Sequence, residues 1–173
     1  MRKSNLPKEA YDQFYATYLS VLDDSELKVL LVNGKIEFAN FIKKIPEGKL
    51  HSTYEIGKWT IAEVILHSID TERIFQYRAL RFLRKDKTPL PGFDQDLFVK
   101  HSKANTRDKD SLIAEFNAVR ETSITLFLNL DNDDLAHTGI ASNTEWTVGT
   151  LGFVICGHLK HHQQIILQRY LQA

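Results

Sequence analysis

Helical hydrophobic periodicity runs through most of this sequence and constrains the fold more than any other feature. Apolar side chains recur three and four residues apart within long segments, which is the spacing of helices that bury one face. Only four prolines and eight glycines interrupt the 173 residues, so few positions force a helix to end. The periodicity predicts a short first helix and four long ones, over about Pro7–Ser20, Asp24–Ile45, Thr60–Arg84, Lys109–Leu128 and Thr147–Tyr170.

These elements favour an all-α fold in a single domain, taken as residues 1–173. One more helical turn is predicted at Asp131–Leu135, and the sequence contains no convincing set of strands. Four long helices with long connections predict a helical bundle, a fold that builds its sites from side chains on facing helices. The connection between Lys85 and Asp108 is far longer than is usual. We therefore expect it to be functional or mobile, and able to cover a pocket.

Charge and cysteine content exclude several classes of protein. The 22 basic and 22 acidic residues balance, so no broad positive field is available to bind nucleic acid. One cysteine, Cys156, excludes a disulfide framework and any cysteine-based zinc knuckle. The N-terminus lacks the apolar stretch of a signal peptide, and the longest apolar runs are too short to span a bilayer. The sequence predicts a cytoplasmic protein with no nucleic-acid or membrane partner.

Two predicted helices begin in the same way. Trp59-Thr60 and Trp146-Thr147 each place a tryptophan and a threonine before an aliphatic residue at the start of a helix, and each helix then carries histidine. The pattern is typical of a helix start, because threonine is a good N-cap residue. Thr60 followed by Glu63 also matches the capping-box pattern. Coincidence also accounts for it. A third interpretation is that matched starts set two ligand-bearing helices at corresponding depths.

A histidine pair lies on the last predicted helix. His158 and His162 are four residues apart, so their side chains project from one face. That face is also the apolar stripe of the helix, where an unpaired polar group is costly. A metal ion would satisfy both imidazoles, and so would buried hydrogen bonds. His161 lies nearer the edge of the stripe, so His162 is preferred as a ligand.

The best third ligand is His67 on the third predicted helix. Glu63, Asp70 and Arg78 share its side of that helix, and this mixture with apolar residues is typical of a pocket wall. The alternative is that His67 is a core histidine bonded to a carbonyl. Glu63 and Asp70 are candidates to orient a histidine or to act in acid–base chemistry, although surface ion pairing is the favoured explanation for each of them.

Three nitrogen ligands without a fourth protein ligand describe an open metal site, in which water or substrate takes the remaining position. Imidazole binds zinc, nickel, iron and copper, so the ligand set does not identify the metal. Cys156 is two residues from His158 and therefore points away from the ligand face. We interpret it as a small packing residue.

A set of motifs lies in a defined order along the chain. The motifs are Gly57-Lys58-Trp59-Thr60, His67, Asp70-Thr71-Glu72-Arg73, Lys87-Thr88-Pro89-Leu90-Pro91-Gly92-Phe93, Gly157-His158 and His161-His162. Together they resemble the DinB-like superfamily, and within it the YfiT-like branch of metal-dependent hydrolases. The resemblance extends from about Leu27 to the C-terminus.

The resemblance implies an up-down-down-up four-helix bundle in which His67, His158 and His162 hold a divalent metal, nickel or zinc. Here the bundle is expected to carry an extra short N-terminal helix and a long crossover loop. Members of the superfamily are often dimers. Relatives include transferases and isomerases that use low-molecular-weight thiols such as bacillithiol or mycothiol.

Three hypotheses about function follow. The first is a metal-dependent hydrolase, or a transferase of a low-molecular-weight thiol, that acts on a small molecule. The second is a non-catalytic metal- or ligand-binding bundle, such as a stress-response scaffold. The third is a helical protein whose histidines only satisfy hydrogen bonds in the core. A homodimer is expected as well, from the family and from the aromatic residues of the first helix, Tyr11, Phe14, Tyr15 and Tyr18.

Overall fold

The computed structural model describes residues 1–6 and 13–172, with side chains from residue 14 onwards after the gap. Most of this chain is helical. Its helices, with their bounds, are α1 (Gln13–Ser20), α2 (Leu27–Lys44), α3 (Ile61–Leu83), α4 (Gln95–His101), α5 (Lys109–Phe127), α6 (Asn132–Leu135) and α7 (Val148–Ile165), which continues as a π-helical turn (Ile166–Leu171). Short 3-10 turns lie at Lys3–Asn5, Glu47–Lys49 and Ala104–Thr106.

The long helices α2, α3, α5 and α7 form the bundle. Both α2 and α3 pack against α5 and α7, so α2 and α3 lie diagonally opposite each other in the bundle, as do α5 and α7. Hydrogen-bonded pairs give the direction of each helix. The pairs Glu72–Arg120 and Gln76–Ser123 show that α3 and α5 are parallel. The pairs Lys35–Glu121 and Ile45–Lys109 show that α2 and α5 are antiparallel. The pairs Trp59–Tyr170 and His67–His158 show that α3 and α7 are antiparallel. The four helices therefore run up, down, down and up.

Threonine caps begin the two helices that carry the histidines. Thr60 and Glu63 form a capping box, in which Thr60 Oγ1 accepts from the Glu63 amide at 3.2 Å and the Glu63 carboxylate accepts from the Thr60 amide at 2.7 Å. Thr147 Oγ1 accepts from the Thr150 amide at 3.0 Å. Both repeated motifs thus start helices. They do not set equal depths, because His67 comes seven residues after its cap and His158 comes eleven after its own.

The absence of strands was a wrong prediction, and the fold is mostly helical rather than all-α. Two strands, β1 (Thr138–Ala141) and β2 (Thr144–Thr147), pair antiparallel as a hairpin. Ser142 and Asn143 both have positive φ, as a tight two-residue hairpin turn requires. The strands have only four residues each, too few for alternation to show in the sequence. Trp146 lies in β2 and is fully buried.

The connection from Lys85 to Asp108 is more ordered than expected. It contains α4 and one of the 3-10 turns, and Leu90 bridges to Ala141 of the hairpin. The second part of the predicted N-terminal helix is observed as α1, while residues 7–12 of that prediction, Tyr11 among them, lie outside the described residues. No helix in the part of the chain that the structure describes is long and apolar enough to cross a membrane.

Candidate metal centre

Three histidine side chains from α3 and α7 meet inside the bundle. Nε2 of His158 lies 3.1 Å from Nε2 of His67 and 3.1 Å from Nε2 of His162. A ring nitrogen from each of the three lies within 4.8 Å of the other two. The four-residue spacing on α7 gives the second pair, and the antiparallel packing of α3 brings His67 to it.

The nitrogen separations fit a shared divalent ion. Two nitrogens bound to one ion at about 2.0–2.1 Å lie about 2.9 Å apart at a right angle and about 3.3 Å apart at the tetrahedral angle. The observed 3.1 Å lies between these values. The donor set of three imidazoles also suits the metals expected from the sequence.

Burial keeps the three imidazoles neutral. His67 and His158 are buried, and His162 is half-buried. Burial lowers the pKa of His67 to about 4. Burial and the neighbouring His67 and His161 lower the pKa of His162 to about 3. For His158, burial and the other histidines hold the pKa far below its ordinary value. Lone pairs are therefore available for a metal near neutral pH.

Helix α1 covers the histidines from one side. The ring of Tyr18 packs edge-on against His158, with centroids 5.1 Å apart. This contact depends on Gly157, because a Cβ there would lie 2.2 Å from the Tyr18 carbonyl oxygen. On the other side, the Trp59 ring lies 4.9 Å from that of His67.

His161 stands outside the group of converging nitrogens. Its ring packs against Tyr18 at 5.2 Å and against His162 at 5.4 Å, and its side chain is half-buried. Cys156 is buried in the apolar core, and burial raises the pKa of its thiol to about 12. A thiol with this pKa is a poor nucleophile near neutral pH, in agreement with a packing role.

The three polar residues predicted near His67 have different positions. Glu63 is held by the capping box, and its other carboxylate oxygen accepts from Asn105 at 3.0 Å. Asp70 accepts from Arg73 at 3.1 Å, and its burial raises its pKa despite that cation. Arg78 is the one that lines the cavity beside the histidines.

That cavity, called the aromatic cavity below, has a volume of about 290 Å³. Its polar lining includes Thr71 and Ser142. Neither was predicted as a site residue from the sequence, although Thr71 belongs to one of the family motifs. Thr71 had a signal, since it follows His67 by one helical turn, whereas Ser142 in the hairpin had none. The aromatic rings that line it are Phe14, Tyr15, Tyr18, Phe75 and Phe93.

A second cavity, of about 300 Å³, opens on the other side of the histidines. We call it the outer cavity. His162 contributes to its wall, whereas His67 and His158 contribute to the wall of the aromatic cavity. The other residues of the outer cavity include Tyr54, Trp59, Arg169 and Tyr170. The histidines therefore separate two clefts.

Comparisons with known proteins agree with this fold. The structure is similar to that of YfiT from Bacillus subtilis, described as a probable metal-dependent hydrolase with an unusual four-helix bundle topology. The TM-score is 0.67 at 16% sequence identity, and the match covers 94% of this chain and 90% of that chain. No curated protein matches the sequence significantly. The sequence model of the DinB superfamily matches residues 36–166. Because this match spans well over half of the sequence, the chain belongs to the DinB superfamily.

Proposed function

We propose that this protein is a metal-dependent enzyme that acts on a small molecule, with His67, His158 and His162 as the ligands of a nickel or zinc ion. The observation that carries the proposal is the convergence of three histidine rings in which Nε2 of His158 lies 3.1 Å from Nε2 of both His67 and His162, a separation that fits two nitrogens on one ion. When bound, such an ion supplies Lewis-acid chemistry at the position that the protein leaves open.

The surrounding residues suit this role. The Tyr18 ring packs against His158 and the Trp59 ring packs against His67. These contacts limit the rotation of the two imidazole rings. The aromatic cavity offers several apolar ring faces on the side on which a substrate would approach. The description of YfiT as a probable metal-dependent hydrolase supports hydrolysis as the first candidate reaction.

The two clefts favour a second candidate, the transfer of a low-molecular-weight thiol to a small electrophile. Separate access for each molecule to the same centre suits a two-substrate reaction. Here His162 faces the outer cavity, while His67 and His158 face the aromatic cavity. Assays of the metal-loaded protein with esters and amides, and with thiols plus electrophiles, distinguish the two reactions.

Metal content measured by plasma mass spectrometry tests the proposed ligands. Untagged protein is expected to hold close to one equivalent of nickel or zinc. The His158→Ala variant is expected to lose it, because His158 links the other two nitrogens. His161→Ala is the matched control on the same helix and is expected to keep the ion.

The alternatives predict different results. Bound metal with no turnover in either panel supports a non-catalytic binding protein. Protein that holds no transition metal and takes up none at neutral pH contradicts the metal site. The histidines would then be core residues joined by hydrogen bonds.

A further inference from the structure

The outer cavity has more positive than negative charge in its lining. Among the described residues that line it, Lys58 and Arg169 are cationic and Asp96 is the one acid, while His162 is neutral near pH 7. Neither Lys58 nor Arg169 forms a salt bridge with a carboxylate that the structure describes. One positive charge is therefore in excess beside the histidines.

Tyr54 holds the guanidinium of Arg169 in place. Nη1 of Arg169 donates to the Tyr54 hydroxyl oxygen at 3.2 Å, and the guanidinium lies over the Tyr54 ring at 5.6 Å from its centroid. Because the hydroxyl oxygen accepts this bond, the hydroxyl hydrogen is left to be donated elsewhere. The two side chains thus bring a cation and a hydroxyl donor together at the wall of the cavity.

The π-helical turn after α7 gives Arg169 this position. In that turn the Gln172 amide donates to the Leu167 carbonyl, five residues earlier, at 3.1 Å. Such turns are rare and frequently lie at functional sites. The hydroxyl of Tyr170, the residue after Arg169, donates to the Trp59 carbonyl at 2.8 Å. Two consecutive side chains of the turn are therefore fixed against the segment that precedes α3.

The rest of the outer cavity suits a flat apolar group. Trp59, Val64 and Ile165 supply apolar surface in its lining. Its volume of about 300 Å³ is roughly twice the 150 Å³ of an apolar cavity that holds one benzene molecule. The cavity therefore has room for one ring and a short charged chain. Because His162 is part of the wall, a bound molecule lies beside the histidines.

We propose that the outer cavity binds a small monocarboxylate with one flat apolar ring. Its carboxylate lies between the Arg169 guanidinium and the Lys58 ammonium group and accepts a hydrogen bond from the Tyr54 hydroxyl. Its ring lies against Trp59. One negative charge is favoured over two, because Asp96 offsets one of the two cations. The binding does not depend on a metal, and only the role of this molecule as a substrate rests on the proposed function.

Nuclear magnetic resonance with a matched pair of probes tests the inference. Phenylacetate and its uncharged amide are titrated into chelator-treated, ¹⁵N-labelled protein, so that neither probe can bind an ion. The two tryptophans each give one indole N–H signal, and the signal missing from Trp59→Phe identifies Trp59.

The Trp59 signal is expected to shift, while that of Trp146, which is fully buried and donates to the Ala141 carbonyl, stays in place. At low salt the carboxylate is expected to bind about fivefold more tightly than the amide, because partly exposed charge pairs contribute up to about 1 kcal/mol.

Variants of the lining identify the groups responsible. Arg169→Met is expected to remove most of the preference for the carboxylate, and Tyr54→Phe to reduce it about twofold through loss of the hydroxyl donor. Asp96→Asn is expected to strengthen binding of the carboxylate, because it removes a like charge. Arg84→Met is the matched control, since Arg84 is also exposed and outside any described salt bridge but lies at the end of α3. Thermal unfolding of each variant shows that it is folded.

A purely structural role for Arg169, as an anchor of the π-helical turn, would lower the melting temperature of Arg169→Met without changing the ratio of the two dissociation constants. That result would overturn the inference, and so would equal binding of the two probes, no binding of either, or shifts that spare the Trp59 signal. The metal proposal fails separately. Protein that takes up no metal but still prefers phenylacetate through Arg169 keeps this inference and loses the other.

Discussion

The buried ion pair between α3 and α5 gives a sharp test of how the bundle is held together. Glu72 and Arg120 side chains are 2% and 0% exposed, and two hydrogen bonds join them. Ser123 Oγ donates a third bond to Glu72 at 2.6 Å. Burial by itself would lower the pKa of Arg120, but the Glu72 charge raises it above its ordinary value. The guanidinium of Arg120 therefore stays charged.

Removing one partner leaves the charge of the other in the core without a counter-charge. We expect Glu72→Met to lower the free energy of unfolding by about 3–5 kcal/mol, because the guanidinium of Arg120 keeps its desolvation cost and loses its anion. At about 2–4 °C per kcal/mol for a protein of this size, the melting temperature falls by about 6–20 °C. The double variant Glu72→Met/Arg120→Met has no buried charge. We expect it to be within about 2 kcal/mol of the unaltered protein.

Urea unfolding followed by tryptophan fluorescence measures these differences, since Trp146 is fully buried. Glu121→Met is the matched control, because Glu121 is next to Arg120 in the chain but pairs with Lys35 at the surface, 54% exposed. It should change the free energy of unfolding by less than about 1 kcal/mol. Arg120→Met alone is the second single variant of the cycle. A double variant whose loss of stability equals the sum of the losses in Glu72→Met and Arg120→Met would refute the reasoning, because it would show no coupling between the charges.

The remaining predictions concern the packing of α1. Gly157→Ala should destabilise the protein by about 1–3 kcal/mol in urea unfolding, despite the better helix propensity of alanine, because the new Cβ meets the Tyr18 carbonyl. Gly48→Ala, where a Cβ meets nothing within 4 Å, should be neutral or slightly stabilising. The protein is also expected to form a homodimer, to which the 65% exposed Phe14 would contribute. Light scattering at micromolar concentration should then give twice the mass of the chain, and a monomeric mass contradicts the prediction.

Much of the fold was predictable because long amphipathic helices leave a strong pattern. The start of α3 at Thr60 followed from the capping box, and the preference for His162 over His161 followed from the angle between successive side chains. The structure brings the rings of His67, His158 and His162 together, although ligation of a metal stays a prediction. These features depend on the spacing of nearby residues, which can be read directly from the sequence.

Contacts between particular helices could not be predicted in the same way. Glu63 had two interpretations, as a capping residue and as a pocket acid, and only its bonds to Thr60 and Asn105 decide between them. Glu72 did have a signal, since it interrupts the apolar stripe three residues after Ile69 and three before Phe75. Its partner on α5 could not be identified without the packing of the bundle.

The residues that meet at the histidine site are far apart in the chain, and this separation has a consequence for how the site forms during folding. His67 and His158 are 91 residues apart in the chain, and Arg78 and Ser142 are 64 apart. Closing such loops costs entropy before any contact is gained, so contacts of this kind form late. The helices can therefore assemble locally while the site is still absent. Binding at the histidines would then stabilise only the chain that has completed its folding, and so would report on that final step.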